Sequence, residues 1–320
     1  MGDANMDISA PSAIEAILKD ELKRGDLALN GVAPVLTHML ANSGGSLVSE
    51  AIVARLRGML ADLARQLLQA TGAVNAGSGK PPVDPDVQSD LADHLAGDSV
   101  VLSHCYALAM EGHLSERLER KVGLDPVMSP LVQELIASTN QEIAELAIAI
   151  LAAQSRFVQS QKRMEMPLGE LPAELFHSLM RRWESFPGQI NVEDFEGVLE
   201  QLKSSYDEGA SRVGLFARAI SAMQKGARAA LELELAGFAL FVSALSGLTR
   251  QPRELAILSC HERQLARLAL GLRTTGLNEQ EIERQFEILH PGQMLPDGLD
   301  KLLPEQAQAI LNKSDPRRTY

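Results

Sequence analysis

Residues 124–186 read LDPVMSPLVQELIASTNQEIAELAIAILAAQSRFVQSQKRMEMPLGELPAELFHSLMRRWESF. The stretch predicts a short helix, a long helix and a third helix, with no strand between them. Each has a chemical start signal. Ser129 offers a side-chain oxygen to the N–H groups left exposed at a helix N-terminus, and Pro130 follows where a missing N–H costs nothing. Thr139 and Glu142 have the spacing of a capping box, and the helix behind them is expected to run to about Met164. Pro172 opens the helix that carries Trp183 and Phe186.

The same grammar extends outward. Ser12 and Glu15 form a capping-box pattern ahead of the apolar stripe Ile14, Ile17, Leu18 and Leu22. A short helix is expected over 34–41. Ser46 opens a long helix to about Ala70, with Leu56, Met59, Leu60, Leu63 and Leu67 at helical spacing. Short helices follow over 85–95, 99–110 and 114–122. Asn191 caps a helix over 192–206. Residues 211–248 predict two helices divided near Gly226, and Pro252 opens a helical region through Leu272. Asn278 and Glu281 form a last capping box, closed by Pro291 and Gly292. No alternating apolar pattern of strand length occurs. The class is therefore all-α, with short–long helix pairs stacked irregularly in a solenoid-like, HEAT-like array. Residues 73–86, rich in Gly and Pro, mark the expected domain boundary. This divides the chain into an N-terminal helical segment (1–72), a linker (73–86), a helical-repeat domain (87–314) and a disordered tail (315–320).

Composition agrees. Hydrophobic residues make up 45% of the 320 positions and aromatics only 4%, so the core is built from aliphatic helix formers. The formal net charge of −12 disfavours nonspecific attraction to nucleic acid or an anionic membrane surface. Residues 84–142 carry 11 acidic and 3 basic side chains, whereas arginines gather after residue 181. The longest apolar run, residues 235–248, is too short to span a bilayer and reads as a buried helix. The acidic N-terminus lacks the apolar segment of a signal peptide. Cys105 and Cys260 form no spaced pair, which points to buried thiols in a reducing cytoplasm rather than a disulfide framework.

Two segments carry a family resemblance. Residues 128–151, MSPLVQELIASTNQEIAELAIAIL, resemble the repeat unit of an alphaproteobacterial domain-of-unknown-function family, number twenty-three thirty-six. Residues 237–291 resemble its C-terminal part: a Phe-containing apolar helix, a loop with Pro, a Leu-rich helix, then Gly-Leu before a last helix holding Phe. The resemblance implies an all-helical, HEAT-like bacterial cytoplasmic protein and transfers no active site.

The residue types that could carry chemistry are few. Glu174–His177 and Glu287–His290 have the Glu-x-x-His spacing of di-iron bundles, with Glu145 and Glu232 or Glu234 in a fitting chain order, but one motif sits at a helix start and the other at a helix end. His104–Cys105 and Cys260–His261 are adjacent pairs, whose side chains diverge by about 100° on a helix and rarely share one ion. The segment AGSGKPP (76–82) lacks the first Gly and the Ser or Thr of a phosphate loop. Asp90, His94 and Asp98 share a helix face at spacing four. Arg263 and Arg267, with Arg273 nearby, could clamp an anionic or nucleotide ligand. Arg181, Arg182, Trp183 and Phe186 combine the residue types favoured at protein interfaces. The reading that follows is a non-catalytic helical scaffold or regulatory protein that works through protein partners and is a candidate homo-oligomer, with no cofactor, no nucleic acid and no membrane insertion. A ligand sensor is the alternative, and a di-metal helical enzyme is the third.

Overall fold

A computed structural model describes residues 13–41, 50–73, 83–187, 195–296 and 298–314. Among them are fifteen α-helices and no strand. In chain order these are α1 (Ala13–Asn30), α2 (Val32–Ala41), α3 (Glu50–Ala73), α4 (Pro85–Ala96), α5 (Ser99–Val122), α6 (Pro130–Ile136), α7 (Gln141–Lys162) and α8 (Ala173–Glu184). There follow α9 (Phe195–Ser205), α10 (Arg212–Met223), α11 (Leu233–Thr249), α12 (Arg253–Ser259), α13 (Leu265–Thr274), α14 (Glu279–Leu289) and α15 (Pro304–Lys313). Two compact units result, one from residues 32–244 and one from residues 1–31 with 245–320. The boundary expected over 73–86 does not separate the units, because the flanking helices α3 and α4 belong to one unit and pack against each other.

In the 32–244 unit, α3 turns Leu56, Met59, Leu60, Leu63 and Leu67 inward, all fully or almost fully buried. They meet Leu91 and Leu95 of α4 and the Leu102–Leu108 face of α5. Each buried leucine contributes roughly 2 kcal/mol of transfer free energy. The ends of the helices are set by single side chains. The Asp84 carboxylate caps α4, Asp98 caps α5 and Ser211 caps α10. Ser129 accepts the Val132 N–H at 3.3 Å, as its place before Pro130 predicts.

Several sequence expectations shift. The cap of α7 is Asn140, whose Oδ1 accepts the Glu142 and Ile143 N–H groups at 3.0 and 3.4 Å, not Thr139. Residues 99–122 form one helix rather than two, since the glycine in its interior, Gly112, weakens a helix by only about 1 kcal/mol. The division expected near Gly226 is present, as a 3-10 stretch over Gln224–Leu231 between α10 and α11, and α11 has a further, unexpected break at Gly237. With φ 71° and ψ 162°, Gly237 holds a conformation closed to side-chain-bearing residues, and a Cβ there would lie 3.1 Å from that of Ser129. The caps expected at Ser12, Ser46 and Asn191, the segment 76–82 and the tail 315–320 lie outside the described residues.

The centre of this unit holds a buried ion pair. The Arg212 guanidinium donates to both carboxylate oxygens of Glu111 at 2.6 and 3.1 Å and to Gln154 Oε1 at 3.2 Å. It lies 3.5 Å from the centroid of the Phe157 ring. Both charged side chains are 2% exposed or less.

The other unit brings the two ends of the chain together. Leu18 and Leu22 of α1 are buried with Leu268 and Leu272 of α13, Phe286 and Leu289 of α14, and Ile310 and Leu311 of α15. Asp26 of α1 pairs with the buried Arg267 and accepts the Ser314 hydroxyl. Gln264 donates to the Gly25 carbonyl at 2.7 Å. The capping box of α14 is complete: Asn278 Oδ1 accepts the Glu281 N–H at 2.9 Å and Glu281 Oε2 accepts the Asn278 N–H at 2.7 Å.

Removing one partner of the central pair strands a charge in the core. Arg212→Met is expected to lower unfolding free energy by about 3–5 kcal/mol, and Arg212→Met with Glu111→Leu by much less, measured by urea denaturation.

Candidate functional site

The interface residues nominated at the end of α8 hold the unit together. Trp183 is fully buried and meets the Phe195 ring edge-to-face at 4.8 Å between centroids. Phe186 is buried with its ring 5.5 Å from His94. Arg182 and His94 bind each other's backbones. Arg182 Nε donates to the His94 carbonyl and His94 Nε2 to the Arg182 carbonyl, each at 2.9 Å. Two helix C-termini thus satisfy their last carbonyls reciprocally. Arg182 Nη2 lies over Gly97, where a Cβ would collide with it. Of the four, only Arg181 is exposed on α8. Trp183 and Phe186 therefore cannot present a docking surface. An amphipathic helix buries its aromatic face first, so the residue types that suit interfaces were drawn into the core.

The arginines nominated for a ligand are not gathered into one site. Arg267 is held by Asp26 and by Gln251 Oε1 at 3.3 Å. Arg273 donates to the carbonyls of Leu302, Leu277 and Asp300 at 2.6, 3.2 and 3.0 Å, which locks the chain after α13. Arg263 is exposed beside His261, whose Nδ1 accepts its N–H. Asp98 and His94 do not share a helix face, because Asp98 caps α5. Glu174 and His177 are both exposed on α8 in one unit. Glu287 is exposed in the other, where it accepts the Gly292 N–H, and His290 is buried at the end of α14. Among the described residues no three His, Cys, Asp or Glu side chains are grouped so as to hold a metal ion. Both cysteines are buried, and burial pushes the Cys105 thiol up to about 12, far from a nucleophilic thiolate at neutral pH.

The feature that sequence reasoning missed is a groove over α2, α3 and α4, about 450 Å³ in volume. Leu40, Leu60, Ala61, Ala92 and Ala96 form its apolar lining, and Arg57, Gln88 and Asp93 supply polar groups. Ala92 and Ala96 stand one turn apart on α4, so two short side chains leave the helix surface open along its axis. Gln88 fixes the walls by donating to the Ala61 carbonyl of α3 at 2.9 Å. Arg57 donates to the Met39 and Leu40 carbonyls at 3.1 and 3.2 Å, closing the end of α2. The alanine spacing was the available signal. A second cavity, between residues 125–132 and Gly237, measures about 10 Å³, the room of one water.

Two further ionisable groups are displaced from their ordinary values. Burial first, then Glu208 and Asp207, push the Tyr206 hydroxyl up to about 12, and that hydroxyl donates to the Leu171 carbonyl at 2.7 Å. Burial, then Arg117 and Arg55, push the His113 imidazole down, with Glu116 opposing and Arg120 adding to the effect.

No single helix among the described residues is long and apolar enough to cross a membrane. Comparison of the chain with protein-family models, curated proteins and solved structures gives no match.

The lowered His113 makes a signed prediction. The unfolded chain takes up its proton near pH 6.5 and the folded chain only at lower pH, so folding loses stability as pH falls through that range. His113→Gln is expected to match the parent protein at pH 8 and to exceed its melting temperature at pH 5, by differential scanning calorimetry.

Proposed function

We propose that this chain is a non-catalytic helical scaffold that receives an amphipathic helix of a protein partner in the α2–α4 groove. The groove carries the reading. Its alanines allow close backbone approach, its leucines offer apolar area, and Arg57 and Asp93 give a polar edge of both signs. That combination suits a helix with anchors at i, i+3, i+4 and i+7 and charged flanks. The reading also draws on what the polar residues do elsewhere: Arg182, Arg267 and Arg273 are engaged in holding helix ends and chain turns.

The HEAT-like, repeat-like arrangement belongs to the same proposal. A 12-residue α4 precedes a 24-residue α5, and a 7-residue α6 precedes a 22-residue α7. Such short–long pairs support a stacked-pair origin and the resemblance to the domain-of-unknown-function family, and stacked pairs offer a broad surface for partners. Two buried cysteines fit a reducing, cytoplasmic setting.

The test fills the groove. Ala92→Trp with Ala96→Trp is expected to leave the far-ultraviolet circular dichroism intact and to weaken binding of a partner's helical peptide by at least about tenfold in fluorescence polarisation. Undiminished binding by a folded double variant rejects the groove as the docking site.

A further inference from the structure

Arg55 of α3 and Gln161 of α7 converge on Gly112 of α5. A Cβ at Gly112 would lie 2.9 Å from Arg55 Nη1 and 3.7 Å from Gln161 Oε1, so two polar side chains lean into the space that glycine alone leaves open. Arg55 Nη1 and both carboxamide atoms of Gln161 are buried and make no hydrogen bond, and Gln161 as a whole is 7% exposed. Leaving such groups unmatched is costly, and an unmatched guanidinium nitrogen is costlier still. The other side of the Arg55 fork, Nη2, holds Glu116 Oε1 at 2.6 Å, and that glutamate side chain is 43% exposed.

The surroundings are positive, against the sign of the whole chain. His113, Arg117 and Arg120 stand at spacings of four and three on α5, one face of the helix. Burial lowers the His113 imidazole first, and Arg117 and Arg55 each lower it further by more than Glu116 raises it, with Arg120 adding to the lowering.

We propose that Arg55, Gln161 and the His113–Arg117 face of α5 bind a phosphate group, which replaces Glu116 on the Arg55 guanidinium. The donor set selects the ligand. A guanidinium offers paired N–H groups to two oxygens of a tetrahedral anion. A carboxamide offers N–H donors and one acceptor, and the acceptor calls for an O–H on the ligand. Hydrogen phosphate or a phosphomonoester supplies both acceptor oxygens and, when protonated, that hydroxyl. Sulfate at neutral pH has no proton to give. Glu116 is then a resident competitor, attached through a half-exposed side chain that can swing into water.

The experiment titrates the full chain with inorganic phosphate at constant ionic strength, by calorimetry and by thermal shift, with sulfate and chloride as controls. Phosphate is expected to raise the melting temperature and sulfate to raise it less, because a ligand that binds the native state stabilises it by mass action. Gly112→Ala and Gln161→Met are each expected to weaken phosphate binding by at least about tenfold. Both variants are expected to fold, since alanine favours a helix over glycine and methionine removes an unmatched buried amide. Glu116→Gln is expected to tighten binding, which a merely structural role for the cluster would not produce. No response to phosphate, an equal response to sulfate, unchanged affinity in Gly112→Ala or Gln161→Met, or weaker binding in Glu116→Gln would overturn the proposal.

Discussion

Arg212 is the constraint around which the larger unit is arranged. Its backbone N–H donates to Glu170 at 3.0 Å, and its guanidinium reaches Glu111 on α5 and Gln154 on α7 while lying against Phe157. One residue, through its side chain and its backbone N–H, therefore ties α5, α7, α10 and the turn before α8. A cation held away from water is tolerated only where its partners are already in place, so the pair selects one register of these helices over others of similar apolar burial. Gln154 completes the arrangement by donating to the Pro126 carbonyl at 2.7 Å, which draws the start of the α6 connection onto α7.

Polar side chains on α3 do comparable work for the extended chain between α7 and α8. The buried Asp62 carboxylate accepts the Met166 N–H at 2.9 Å. Gln66 donates to the Met166 carbonyl at 2.7 Å and accepts the Leu168 N–H at 3.0 Å. Met166 and Leu168, which precede or open the 3-10 turn at Leu168–Glu170, thereby satisfy backbone groups from a neighbouring helix. With α3 anchored on one side by these bonds and α4 anchored by His94 and Arg182, both walls of the groove stand on fixed supports.

Much of this architecture could be read along the chain, because helix starts and apolar stripes are local. Ser129, Pro130, Asn278 and Glu281 act where their spacing places them. The leucines of α3 are buried as their period requires. The candidate sites fared differently. Trp183 and Arg182 have the chemistry of an interface and Arg267 that of an anion clamp, yet each is held by residues distant in sequence: Phe195, His94 and Asp26. Residue type states what a side chain can bind, whereas its partner is settled by which helix packs beside it. The groove was silent for the complementary reason, since alanines mark helices everywhere and become a site only where a neighbouring wall leaves them uncovered.

The amino-acid sequence by itself determined the all-helical class seen in the described residues, the caps at Ser129 and Asn278, the aliphatic core stripes and the acidic balance, all consequences of composition and of bonds and periods within a few residues. The tertiary structure alone decided that the two chain ends share a unit, that Gly237 interrupts α11, that Arg212 finds Glu111, and that Ala92 and Ala96 line a groove. Arg212 and Glu111 stand 101 residues apart in the chain, and over such a separation only the packing of whole helices sets the distance.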